Sequence, residues 1–208
     1  MRIQTIVEGY GEVSAVPVLL RRLLVEAGKM EIVINRPIRQ KQSQLLSEDS
    51  LRKAIRLAMY KPECSGILVL FEEEDGCPKE LGPRLATWIQ REAGNFPVVL
   101  ALAHREYEAW FLAAIESIRG KRGICENALI NSDPESIRDA KGAIEDLMLN
   151  NRSYQETTDQ AALSELFDIK MAYRNSRSFR HLVKAFGKLL QQMGVDLMHW
   201  PPAEWDSI

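Results

Sequence analysis

The chain has 208 residues, 46% of them hydrophobic and 27% charged, with a formal net charge of −2. That is the make-up of an ordinary globular protein, one domain or one domain with a helical appendage. It excludes a low-complexity chain and any global attraction to nucleic acid or to a membrane surface, while leaving room for a local patch.

The first elements alternate. Residues 2–9, "RIQTIVEG", read as a strand closed by glycine. Residues 12–28 read as a helix, because Val16, Leu19, Leu20, Leu23 and Leu24 recur at three-four spacing and Gly28 suits the position after a helix end. Pro17 fits that helix only in its first turn. Residues 31–38 form the next strand and 51–61 the next helix, with Ser47 or Ser50 as its cap. "GILVLF" (66–71) lacks polar alternation, as a strand covered on both faces should. A helix over 79–94 comes next, then the apolar strand "FPVVLALA" (96–103) and a strongly apolar helix over 106–118. This order predicts a Rossmann-like α/β core over residues 1–118: a parallel four-stranded sheet with helices on both faces.

Beyond residue 118 the pattern changes. Residues 120–134 are turn-rich, and helices are expected near 134–150, 160–174 and 179–193. Thr158 or Asp159 can cap the second and Ser178 the third. Residues 119–208 are thus an α-helical C-terminal extension, whose Trp200 and Trp205 can pack back on the body. Cys64, Cys77 and Cys125 show no C-x-x-C spacing and read as reduced thiols. No charged-then-apolar segment opens the sequence, and its apolar runs are too short to span a bilayer. A cytoplasmic protein that does not use a membrane is expected.

In an open parallel sheet, function collects at the carboxyl ends of the strands. There this sequence places Glu8, then Glu12 four residues on; Glu72, Glu73, Glu74 and Asp75 after the third strand; and Glu106 and Glu108 after the fourth. Two carboxylates about 5 Å apart repel by roughly 3 kcal/mol at an effective dielectric near 20. Several in one crevice take up protons or demand a cation; an all-oxygen set suits Mg²⁺, Mn²⁺ or Ca²⁺, and acids gathered from several strand ends are what two-metal phosphoryl chemistry needs. The alternative is that these acids are solvated or cap the helices after them. The loop "GYGEVS" (9–14) lacks the last glycine of the dinucleotide fingerprint, although Arg36 would suit a 2′-phosphate. The plainer role for Gly9 and Gly11 is a tight turn. Between Ile169 and Val195 there are six Lys/Arg and no acid. Arg180, Lys184 and Lys188 fall at i, i+4 and i+8, and with Arg177 they make either a solvated face or a nucleic-acid track.

The segment "IVEGYGE" resembles the strand-end motif of Toprim domains, found in topoisomerases, primases and the overcoming-lysogenization-defect (OLD) nucleases. The whole of residues 3–190 resembles a Toprim-like family, the domain of unknown function 4276, through "VEGYGEVSAVPVLL", "ILVLFEEEDGCP", "AHREYEAWFLAA", "AKGAIEDLM", "YQETTDQAAL" and "SRSFRHL". The resemblance implies that Glu8 is a general acid/base. Glu72 and Glu74 stand where the family pattern has a D-x-D metal motif, with Glu for Asp at both and Asp75 available as a ligand. It implies a supporting acid at Glu106 or Glu108, and a phosphate-neutralising Lys141. The activity it implies is that of a metal-dependent nuclease, using Mg²⁺ or Mn²⁺, in phage defence or DNA repair with a partner ATPase. The other readings are a non-catalytic adaptor that binds nucleic acid or an ATPase, or a nucleotide-binding module; a homodimer stays open.

Overall fold

The computed structural model describes residues 1–73, 78–149 and 152–205. Five parallel strands form one sheet: β1 (Arg2–Val7), β2 (Val33–Ile34), β3 (Ile38–Arg39), β4 (Cys64–Glu73) and β5 (Val98–His104). The order is β2-β1-β4-β5, with β3 also paired to β1. The predicted second strand is therefore two pieces on the same edge of β1, β2 opposite Arg2 and Ile3 and β3 opposite Ile6 and Val7. Pro37 lies between them and has no N–H to give to the ladder. The buried Gln4 side chain spans the gap, its Nε2 donating to the Arg36 carbonyl at 2.8 Å.

β4 shows why its sequence is apolar without alternation. Leu68 and Leu70 enter one core cluster, whereas Ile67, Val69 and Phe71 enter the other. The second cluster is built with α2 (Gln42–Leu45), α3 (Glu48–Met59) and α4 (Pro78–Ala93). The first is larger. It joins α1 (Glu12–Glu26) to α5 (Ala109–Ala113), α6 (Ala140–Asp146), α7 (Glu156–Leu166), α8 (Ile169–Asn175) and α9 (Arg177–Gln192). The helices beyond residue 118 thus share one layer of the sandwich with α1 and α5. Among the described residues no helix is long and apolar enough to cross a membrane.

Several boundaries differ from the sequence expectation. Pro17 lies inside α1, beyond its first turn. The predicted helix at 106–118 is only α5 and a 3₁₀ turn at Ile115–Ile118. Residues 109–115 are buried on every side, so no amphipathic period sets their helix length. The helix expected at 160–174 is two, because the Asp168 side chain accepts from the amides of Lys170 and Met171 and starts α8 afresh. Ser176, rather than Ser178, caps α9 through the Phe179 amide at 3.0 Å. The helix expected at 134–150 shrinks to α6, capped by Asp139. The tail does fold back: Trp205 is fully buried, and Trp200 Nε1 donates to the Val183 carbonyl at 2.7 Å.

Candidate functional site

From β1 the chain runs to β2 and β3 on one side, then crosses to β4 on the other. The topological switch point therefore lies between β1 and β4, where parallel α/β sheets open their ligand crevice. β5 lies against the far side of β4. This order brings together the acids that come after three separate strands: Glu8 and Glu12 after β1, Glu72 at the end of β4, and Glu106 and Glu108 after β5.

Glu12, 1% exposed, turns back over the start of its own helix and accepts from the amides of Glu8 and Gly9, both at 2.8 Å on Oε2. Glu72 shares the sheet face of Leu68 and Leu70. Its Oε1 accepts from the Tyr107 amide at 2.9 Å, and its Oε2 lies 3.6 Å from the Lys141 ammonium. Lys141 also stands 3.8 Å from Glu156 Oε2. It is held there by Glu106, which accepts from the Lys141 backbone amide at 3.0 Å in the first turn of α6. Glu108 is fully buried and accepts on Oε1 from the Tyr154 hydroxyl (2.6 Å) and Gln160 Nε2 (3.0 Å). Glu12 Oε1 and Glu108 Oε2 are buried with no hydrogen-bond partner among the described residues.

The glycines of "GYG" have a tertiary reason. Neither shows the left-handed backbone that demands glycine. A Cβ on Gly11 would lie 2.5 Å from Gln160 Oε1 and 2.7 Å from the Glu156 carbonyl oxygen, so the loop after β1 is pressed directly onto α7. The Gly11 amide donates to Glu156 Oε1 at 3.3 Å. At the other end of α7, Arg22 of α1 donates to the carbonyls of Ser164 and Phe167 at 2.9 and 2.8 Å. The expectation that Gly9 and Gly11 serve only a tight turn is corrected accordingly.

Among the described residues, one ammonium stands among several buried carboxylates, which leaves a deficit of positive charge. Burial first, then repulsion from Glu8 and Glu108, lifts the Glu12 carboxyl to about 7 against the backbone amides that hold it down. Burial, then Glu12 and Glu108, lifts Glu72 to about 9 despite Lys141 and the Tyr107 amide. Glu108 is raised as well, by burial above all. Burial pulls Lys141 the other way, but Glu72, Glu108, Glu156 and Glu106 outweigh it and keep the amine protonated. At neutral pH the acids therefore share protons, the state expected of a cluster short of cations.

The other sequence candidates divide. Glu74 and Asp75 lie outside the described residues. The α9 stripe runs away from the acids: Ser178, at its start, accepts from Trp110 of α5, while Leu189 and Met193 face Gly66 at the opposite end of the sheet. Within it, Arg180 is engaged with the carbonyls of Tyr173 and Arg174 at 2.8 and 2.6 Å, and Arg177, Lys184 and Lys188 are exposed. Sequence reasoning misses Tyr107, Glu156 and Gln160. The signal for two of them is present, since Glu156 and Gln160 sit four apart on one face of α7.

The donors are all oxygen, and two buried carboxylate oxygens await a partner, which fits a hard divalent cation. Among the described residues, however, no three acidic, His or Cys side chains are arranged as a ready ligand set. Residues 7–186 match the model of the family described as "Domain of unknown function (DUF4276)", and the chain belongs to that family. Comparison with curated proteins and with solved structures returns no match.

Proposed function

We propose that this member of the family is a metal-dependent nuclease, hydrolysing phosphodiester bonds of DNA or RNA at the carboxylate cleft between β1 and β4. The observation that carries the reading is the meeting of acids from three strand ends with two buried carboxylate oxygens, on Glu12 and Glu108, that have no partner among the described residues. Glu12, Glu108 and Glu72 are the described residues that would hold Mg²⁺ or Mn²⁺, and the sequence adds Glu74 and Asp75. Such an ion supplies activation of water and charge stabilisation at the leaving oxygen. Glu8 is the proposed general acid/base, on the loop braced by α7. Lys141 is proposed to move from Glu72 and Glu156 onto substrate phosphate, and Glu106 positions it by holding its amide. The Toprim resemblance supports this assignment, and a partner ATPase belongs to the proposal through that resemblance alone.

A second reading is favoured by one observation: the Lys141 ammonium already stands among the carboxylates. In that reading the amine replaces a metal, and the chain is a non-catalytic adaptor. Thermal melting with and without millimolar Mn²⁺, paired with cleavage of labelled oligonucleotides, separates the two. A ligand of the folded state at about 100 times its Kd stabilises by about 2.7 kcal/mol. The nuclease reading expects a Mn²⁺-dependent rise in Tm and Mn²⁺-dependent cleavage, both lost in Glu12→Gln. A protein whose Tm and substrate are untouched by Mn²⁺ is the adaptor.

A further inference from the structure

An aromatic residue stands in the open at the mouth of this acidic cleft. Tyr10, between Gly9 and Gly11, is 67% exposed. The Arg39 guanidinium lies over its ring at 3.8 Å from the centroid, with Nη2 donating to the Tyr10 hydroxyl at 3.1 Å and Nη1 to the Glu8 carbonyl at 3.3 Å. Arg39 pairs with Val7, the residue before Glu8, on the edge of β1 opposite β4, so the pair stands at the β3 side of the same strand ends. One face of the ring is backed by the cation, and the exposure of Tyr10 belongs to the rest of it. The loop beneath does not yield freely, because Gly11 is packed on α7. Two residues beyond Arg39, Lys41 is exposed, and its neighbour Gln42 donates to the Glu72 carbonyl at 3.1 Å. The rim thus sets an open π-face and two cations beside a negative interior that would otherwise repel a polyanion.

We propose that Tyr10, backed by Arg39, is a stacking platform for an unpaired nucleobase of single-stranded DNA or RNA, with Lys41 against the adjoining phosphate. This rests on the nucleic-acid reading of the cleft and names its substrate class. A duplex keeps its base faces covered by neighbouring pairs, whereas an unstacked base has a face to give to an aromatic ring. The guanidinium adds a cation–π partner that fixes the tyrosine in place and draws the backbone. The platform is selective for strandedness and tolerant of sequence, because every base presents such a face.

The test is fluorescence anisotropy with short labelled single-stranded DNA, single-stranded RNA and duplex DNA, in EDTA so that no cleavage intervenes. The proteins are wild type, Tyr10→Ala, Tyr10→Trp and, at an exposed position before β4, Lys61→Ala. Circular dichroism melts confirm that the exposed substitutions leave the fold intact. Wild type is expected to prefer single strands, and the better of the DNA and RNA arms identifies the sugar. Tyr10→Ala is expected to weaken single-strand binding on the order of tenfold, Tyr10→Trp to retain it, and Lys61→Ala to leave it alone. Single-strand binding that is equal in wild type and Tyr10→Ala overturns the platform and leaves the cleft reading standing. Absence of both binding and cleavage for every nucleic acid, in EDTA and again with millimolar Mn²⁺, overturns both.

Discussion

Raising the pH from about 6.5 to 8 should destabilise this protein through one carboxyl group, and Glu72→Gln should abolish that part of the loss. Burial holds Glu72 at about 9, against an ordinary value of 4.5. Across that window the folded chain keeps a proton that the unfolded chain has released, so unfolding is favoured as pH rises. The contribution is whole below the unfolded value and gone above the folded one. Each pH unit inside the window costs about 1.4 kcal/mol. The stated interval therefore removes about 2 kcal/mol, a fall in Tm of about 4–8 °C for a domain of this size. Glu12, held near 7 chiefly by burial, adds to the loss in the lower part of the interval in both proteins. Glutamine at position 72 keeps an acceptor for the Tyr107 amide and cannot ionise. Differential scanning fluorimetry at constant ionic strength gives the two slopes. Parallel slopes for wild type and Glu72→Gln would refute the reasoning, because they would place the titrating group elsewhere.

Gly11→Ala should cost about 1–3 kcal/mol by overpacking, since the new methyl meets the Glu156 backbone as well as a side chain; a urea titration reads it as a lower midpoint. Asp159→Asn keeps the shape of a carboxylate that accepts from both Arg122 (2.8 Å) and Arg152 (2.7 Å) on one oxygen, but loses its charge. A loss of about 1.5–3 kcal/mol is expected in the same titration. Trp205→Ala empties a fully buried site against Tyr173 and Trp200 and should cost about 3–5 kcal/mol. A near-neutral result would mean that the tail does not hold this position in solution.

The features legible in the sequence are those set by short-range physics. The apolar run of β4 announces a strand covered on both faces, and acids placed just after strands announce the end of the sheet at which they gather. Trp200 and Trp205 in a polar tail announce a contact. Strand order is a long-range property, and no local pattern places β4 between β1 and β5. The role of Gly11 is hidden because its reason is a helix some 145 residues away along the chain. Glu156 and Gln160 escape notice because polar residues four apart on a helix ordinarily face water; here the same spacing faces the acids. The predicted helix after β5 is too long because an all-apolar segment carries no period from which an end can be read. Pro37 is a visible cause of the divided second strand, and the strand expected over 31–38 runs straight through it.

The distance in sequence between the two halves of the cleft governs when it can exist. Polypeptides emerge from the ribosome from the N-terminus onward, at a pace slower than local structure forms. A nascent chain that has cleared only β5 already displays Glu8, Glu12 and Glu72. It has as yet no Lys141 ammonium among them, no Tyr154 and Gln160 to seat Glu108, and no α7 behind the Gly9–Gly11 loop. The assembled pocket therefore forms only once α7 has been made and docked. Products that stop short of α7 carry the acids without the arrangement, so any chemistry of the cleft is withheld until that helix has been made.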